Sequence, residues 1–206
     1  MKRLILILVV ILVAAVAVSL KFFWSKSDNR PEPEKDKPLS ISKNSDAFTK
    51  SFSELMSSYY QLKDALVDWD TAKANEAALL VQHRVDSLPM KQVKADTTIV
   101  LTAQNLAGSI SNEVKGFIGE PTIEQKRREF NMITDELYNL IRTVRYDGET
   151  VYHERCPMAF NETEEGFWLS NTNKIINPYL GNKHPKFNNK MVGCGEVVDS
   201  LNFAKK

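Results

Sequence analysis

Between Ser45 and Tyr146 the chain carries four stretches in which apolar residues recur at steps of three and four, separated by helix-breaking signals. No other feature constrains the fold as strongly. In the first stretch Phe48, Phe52, Leu55, Met56, Tyr59, Leu62 and Leu66 form one stripe, with Ser45 or Asp46 placed to cap it. Asp70 and Thr71 restart a helix whose apolar side is Ala74, Ala77, Ala78, Val81, Val85 and Leu88, and Pro89 ends it. A third helix from Thr97 is expected to present Val100, Leu101, Leu106, Ile110, Val114 and Phe117. Gly119 and Pro121 separate it from a fourth, lined by Ile123, Phe130, Ile133, Leu137, Leu140, Ile141 and Val144. A single helix cannot bury its own stripe, and short connections favour antiparallel neighbours. The expected fold class is therefore all-α: an antiparallel four-helix bundle over residues 45–146, followed by a loop-rich segment at 147–206 packed on it.

Ahead of the bundle, Leu4 to Leu20 is an uncharged run, apolar but for Ser19, with Lys2 and Arg3 before it and Lys21, Phe22, Phe23 and Trp24 after it. At about 1.5 Å per residue the run covers roughly 25 Å, and snorkelling of Lys21 brings it close to the hydrocarbon thickness. Residues 1–24 thus read as one transmembrane helix, with a cleaved secretory signal as the competing reading because Ala15, Val16 and Ala17 form an AxA-like site. Either way the basic tip stays cytoplasmic and the rest is exported, which implies an inner-membrane, single-pass protein with its bulk in the periplasm. Residues 25–44 hold Pro31, Pro33 and Pro38 among alternating charges and are expected to be a disordered tether. The net charge of +1, with basic and acidic residues interleaved, argues against a nucleic-acid partner.

Both cysteines fall in the stretch from Tyr152 to Glu196, where helical periodicity stops. Cys156 and Met158 flank Pro157, and Met191 and Cys194 precede Gly195, so four sulfur side chains lie in two short clusters. A disulfide between Cys156 and Cys194 is the ordinary expectation for an exported chain, worth roughly 4 kcal/mol by loop closure. A soft-metal site is the second reading, since thiolates and thioethers together select ions such as Cu(I) or Ag(I). Unpaired structural thiols are the third. Pro157 stiffens one cluster, and Gly193 and Gly195 leave room for the other to bend inward. His153 and His184 lie in the same stretch and are peripheral ligand candidates, whereas His83 falls among polar residues of the second helix. No CxxC, GxSxG, HExxH or phosphate-binding glycine loop is present, so the chain is not read as an enzyme.

The order CPMAF, WLS, INPYLG and KM followed by CG resembles an uncharacterised bacterial domain family, common in Bacteroidetes. That family occurs alone or fused to periplasmic adaptor subunits of heavy-metal RND efflux systems of the copper and silver type. The LKDALV and EQKRREF stretches of the bundle resemble it more loosely. The resemblance implies an envelope domain linked to heavy-metal handling and an efflux-pump or other envelope partner. It carries Cys156, Met158, Met191 and Cys194 over as metal ligands. Two departures bear on the site: Arg155 stands where the family often has His, and NKHPKFN lengthens the interval before the second sulfur cluster, which makes His184 a substitute ligand.

Overall fold

The computed structural model describes residues 44–204. The four expected helices form: α1 (Asp46–Val67), α2 (Thr71–Asp86), α3 (Thr97–Gly119) and α4 (Ile123–Val144), with a short 3-10 turn at Met90–Gln92. Each packs on the next in chain order. Their starts are set by side chains that accept otherwise orphaned N–H groups: Ser45 from Phe48 (3.1 Å), Asp70 from Lys73 (3.0 Å) and Thr122 from Gln125 (3.3 Å). The α1, α2 and α4 stripes are buried as expected, apart from half-buried Ile123. On α3 the face differs: Leu101 is 54% exposed, and Ala103 and Ala107 continue the buried row of Ile110, Val114 and Phe117. Stepping back from Ile110 by three and four residues reaches the two alanines, and Leu101 lies off that row.

The fold is not all-α. Three strands follow the bundle, β1 (Val151–Phe160), β2 (Glu164–Ser170) and β3 (Glu196–Leu201), in an antiparallel sheet of order β2-β1-β3. The loop-rich expectation for 147–206 holds for residues 171–195, which lie between β2 and β3. The β1–β2 hairpin turns through Asn161 and Glu162, both at positive φ (51° and 61°), with Thr163 N–H donating to the Phe160 carbonyl. As the central strand β1 is covered at several adjacent positions and carries a register irregularity between Cys156 and Phe160, around Pro157. It therefore lacks the clean alternation that announces a half-exposed strand. The expected membrane helix at 1–24 and the tether lie outside the described residues. Among the described residues no helix is long and apolar enough to cross a membrane.

Side chains from the bundle hold the sheet. Tyr59 of α1 stacks on Phe130 of α4 (5.3 Å between centroids), bonds Thr134 (2.6 Å) and accepts the Leu169 N–H (3.0 Å). Asn131 of α4 accepts the Phe167 N–H (2.8 Å), so alternate amides of edge strand β2 are capped by helix side chains instead of being left open. The 171–195 loop docks on the end of α1. There Asn182 N–H donates to the Val67 carbonyl (2.9 Å), and Trp69 Nε1 donates to the Leu180 carbonyl (3.0 Å). Gly181 sits at φ +59°, where an added Cβ would lie 2.5 Å from the Val67 carbonyl, so only glycine permits this approach.

Candidate metal centre

Two cysteines 38 positions apart meet because β1 carries one and the loop returning to β3 carries the other. Cys156 is fully buried in β1, opposite Gly166 of β2. Cys194 is half-buried, in a turn where its N–H donates to the Met191 carbonyl (3.0 Å). Gly195 then runs at φ +143°, and an added Cβ would lie 2.7 Å from the Arg155 carbonyl. That close passage against β1 brings Cys194 near enough to Cys156 to act on its thiol. Gly193 has open space around it and is not required for the bend.

Both thiols are free. Burial pushes the Cys156 thiol up and the adjacent Cys194 sulfur adds to the shift, while the Met158 N–H and the Asn177 side chain pull toward the thiolate without overcoming it. Cys156 is consequently a neutral thiol at neutral pH, and half-buried Cys194 is the cysteine that solvent can reach.

Asn177 organises the surroundings. Wholly buried, it donates from Nδ2 to the Cys194 carbonyl (2.7 Å) and accepts at Oδ1 from Tyr179 N–H (2.8 Å) and Leu180 N–H (3.0 Å). Its own N–H donates to the Val192 carbonyl (2.8 Å), so one residue fixes both limbs of the loop. The Asn-Pro dipeptide was the available sequence signal, since an Asn side chain readily bonds backbone amides just downstream. Glu154 also escapes a sequence reading. It is wholly buried two residues before Cys156, and burial raises its carboxyl to about 7 against partial relief from Lys63 and Trp168.

The other expected ligands have these surroundings. Met158 lines a neighbouring cavity with Trp69, Arg127 and His184, which neither cysteine lines. Met191 is half-buried and packs against the core. His153 stacks between Tyr138 (4.3 Å) and Phe167 (5.1 Å), and burial lowers its pKa despite Asp199 nearby. His184 accepts at Nδ1 from the N–H groups of Lys186 (3.2 Å) and Phe187 (3.3 Å). Burial and then Arg127 lower its pKa, so the ring is neutral with its proton on Nε2, which leaves no free lone pair for an ion. Among the described residues no group of three or more His, Cys, Asp or Glu side chains is gathered as a metal cage. What the fold does assemble is a two-thiol centre, a donor set suited to soft ions of low coordination number and poorly suited to oxygen-seeking ones.

Residues 55–148 match a family model described as "Protein of unknown function (DUF3347)". The match spans α1 from Leu55 through α4 to the turn at Gly148, and it ends before β1 and the cysteine-bearing segment. No curated protein and no solved structure matches the chain.

Proposed function

We propose that the chain is a soft-metal handling protein of the cell envelope, binding Cu(I) or Ag(I) between Cys156 and Cys194. The reading is carried by two free thiols that the passage of Gly195 against the Arg155 carbonyl brings near one another, Cys156 buried in β1 and Cys194 half-buried in a distant loop. Binding replaces two S–H protons by one Cu(I), giving a bis-thiolate of charge −1 and releasing two protons. The Met158 N–H and the Asn177 side chain, which already favour the Cys156 thiolate, would stabilise that charge. Met191, three residues before Cys194 in the same turn, is the thioether that can enter the shell when the ion arrives or leaves. In this reading residues 1–24 hold the domain at the inner membrane, and the ion is exchanged with an efflux or envelope partner. No step of bond-making chemistry on a substrate is assigned.

An anaerobic competition of the reduced full-length chain, in neutral detergent, against a coloured Cu(I) chelator tests this. One tight equivalent, absent from a Cys156→Ser/Cys194→Ser chain, is the expected result. Failure to withdraw Cu(I) from the chelator would remove the metal reading and leave the cysteines as a disulfide staple of an interaction module.

A further inference from the structure

A second site lies away from the thiols, in a cavity of ≈ 340 Å³ between the N-terminal turns of α4, the β1–β2 hairpin and the 180–186 stretch. Its volume is at the small end of the range for pockets that hold organic ligands. Arg127 lines it and is only 3% exposed. Nε donates to the Pro178 carbonyl (2.8 Å) and Nη2 to the Leu66 carbonyl (3.1 Å). Nη1 makes no hydrogen bond to the described residues, and Arg127 joins no ion pair among them. The guanidinium is buried on neutral carbonyls, and Glu124, one turn earlier on α4, offsets part of that burial without forming an ion pair, an arrangement that a bound anion would complete. The Trp69 ring lies 4.0 Å from its carbon centre and fixes its plane.

The remaining lining selects the kind of anion. Apolar surface comes from Met158, Ala159, Phe160 and Leu180. The other cations at the rim are already paired, Arg128 with Glu164 (3.1 Å) and Lys186 with Glu162 (2.5 Å). Glu124 also lines the cavity and disfavours a multiply charged guest. One buried cation whose Nη1 makes no hydrogen bond to the described residues and whose charge is met only by Glu124 beyond ion-pair distance, together with apolar walls and acidic residues at the rim, suits a single negative charge on an apolar body. The geometry points to a binding site for a small monocarboxylate with an aromatic or branched apolar body, its carboxylate on Arg127 Nη1 and its body against Met158, Phe160 and Leu180. This site is independent of the thiol pair and of whether that pair holds a metal.

The test is a titration of the ¹⁵N-labelled full-length chain in neutral detergent with benzoate, with benzamide and inorganic phosphate as comparison probes, reading the Trp69 indole N–H resonance. A saturable shift with benzoate is expected, with benzamide at least about tenfold weaker because it lacks the charge that Arg127 pairs. Arg127→Gln should abolish the shift. Because that change also loosens the docked loop, Met158→Trp, which fills the cavity from a half-buried wall position, serves as the second variant and should abolish it too. The assignment is overturned by benzamide binding as well as benzoate, by phosphate binding as tightly as benzoate, by no saturable shift with benzoate, or by benzoate binding unchanged in Met158→Trp.

Discussion

Replacing Glu154 by Gln should stabilise the protein, and only above mildly acidic pH. Glu154 is wholly buried, and neither carboxylate oxygen has a hydrogen-bond partner among the described residues; the nearby Trp168 Nε1 is likewise unpartnered. Burial raises its pKa from 4.5 to about 7, with Lys63 and Trp168 offsetting part of the effect. The folded value exceeds the unfolded one, so the native state holds its proton more tightly. Stability is then fully present below about pH 4.5, falls as pH rises, and is lost to its full extent above pH 7. The loss amounts to about 3 kcal/mol at pH 8, and Gln, which keeps the shape and carries no charge, should recover about that much. Urea unfolding of both chains at pH 4.5 and pH 8, in reducing buffer, measures it. The midpoints should nearly coincide at the lower pH and separate at the higher one. A Gln chain no more stable than the parent at pH 8, or one with the same gain at both values, would refute the claim that a carboxylate is buried there with only partial compensation.

Three further expectations follow from the same structure. Cu(I) affinity should rise by up to about 100-fold per pH unit below the thiol pKa values, because two protons leave for each ion bound, and chelator competition across pH 6 to 8 reads it. Gly195→Ala should lower stability by about 1–3 kcal/mol in thermal melts, since its φ of +143° and the 2.7 Å approach to the Arg155 carbonyl tolerate no Cβ, and Cu(I) binding should weaken with it. Tyr59→Phe should cost about 1–3 kcal/mol in urea unfolding by leaving the Leu169 N–H and the Thr134 hydroxyl without their shared partner, with m unchanged if the sheet stays docked.

The bundle was legible in the sequence because helical burial repeats every three to four residues and its caps are chemically explicit. Ser45 and Asp70 accept the amides expected of them, and Phe48 through Leu66 are fully buried along the predicted stripe. Leu101 shows the limit: on α3 small Ala103 and Ala107 share the buried row, so hydrophobicity alone picks the wrong neighbour. The sheet was not legible. Central β1 has Pro157 inside it, and its partner β3 arrives only after a long loop, so pairing depends on contacts that no local window contains. Within the site, Cys194 lies near enough to Cys156 to raise its thiol, Met158 lines another cavity and His184 has its Nδ1 occupied. Those outcomes depend on backbone turns around Pro157 and on amide donors from Lys186 and Phe187, which residue type does not encode. Arg127 reads as one charge among many in KRREF, and only the fold buries it against Trp69.

Copper K-edge X-ray absorption of the reduced chain loaded with one equivalent of Cu(I) reads the proposed Cys156–Cys194 centre at the ion itself. A first shell made of sulfur alone, two or three scatterers, that vanishes in Cys156→Ser/Cys194→Ser is the expected result. A shell dominated by nitrogen or oxygen, or one unchanged by the double substitution, would contradict it.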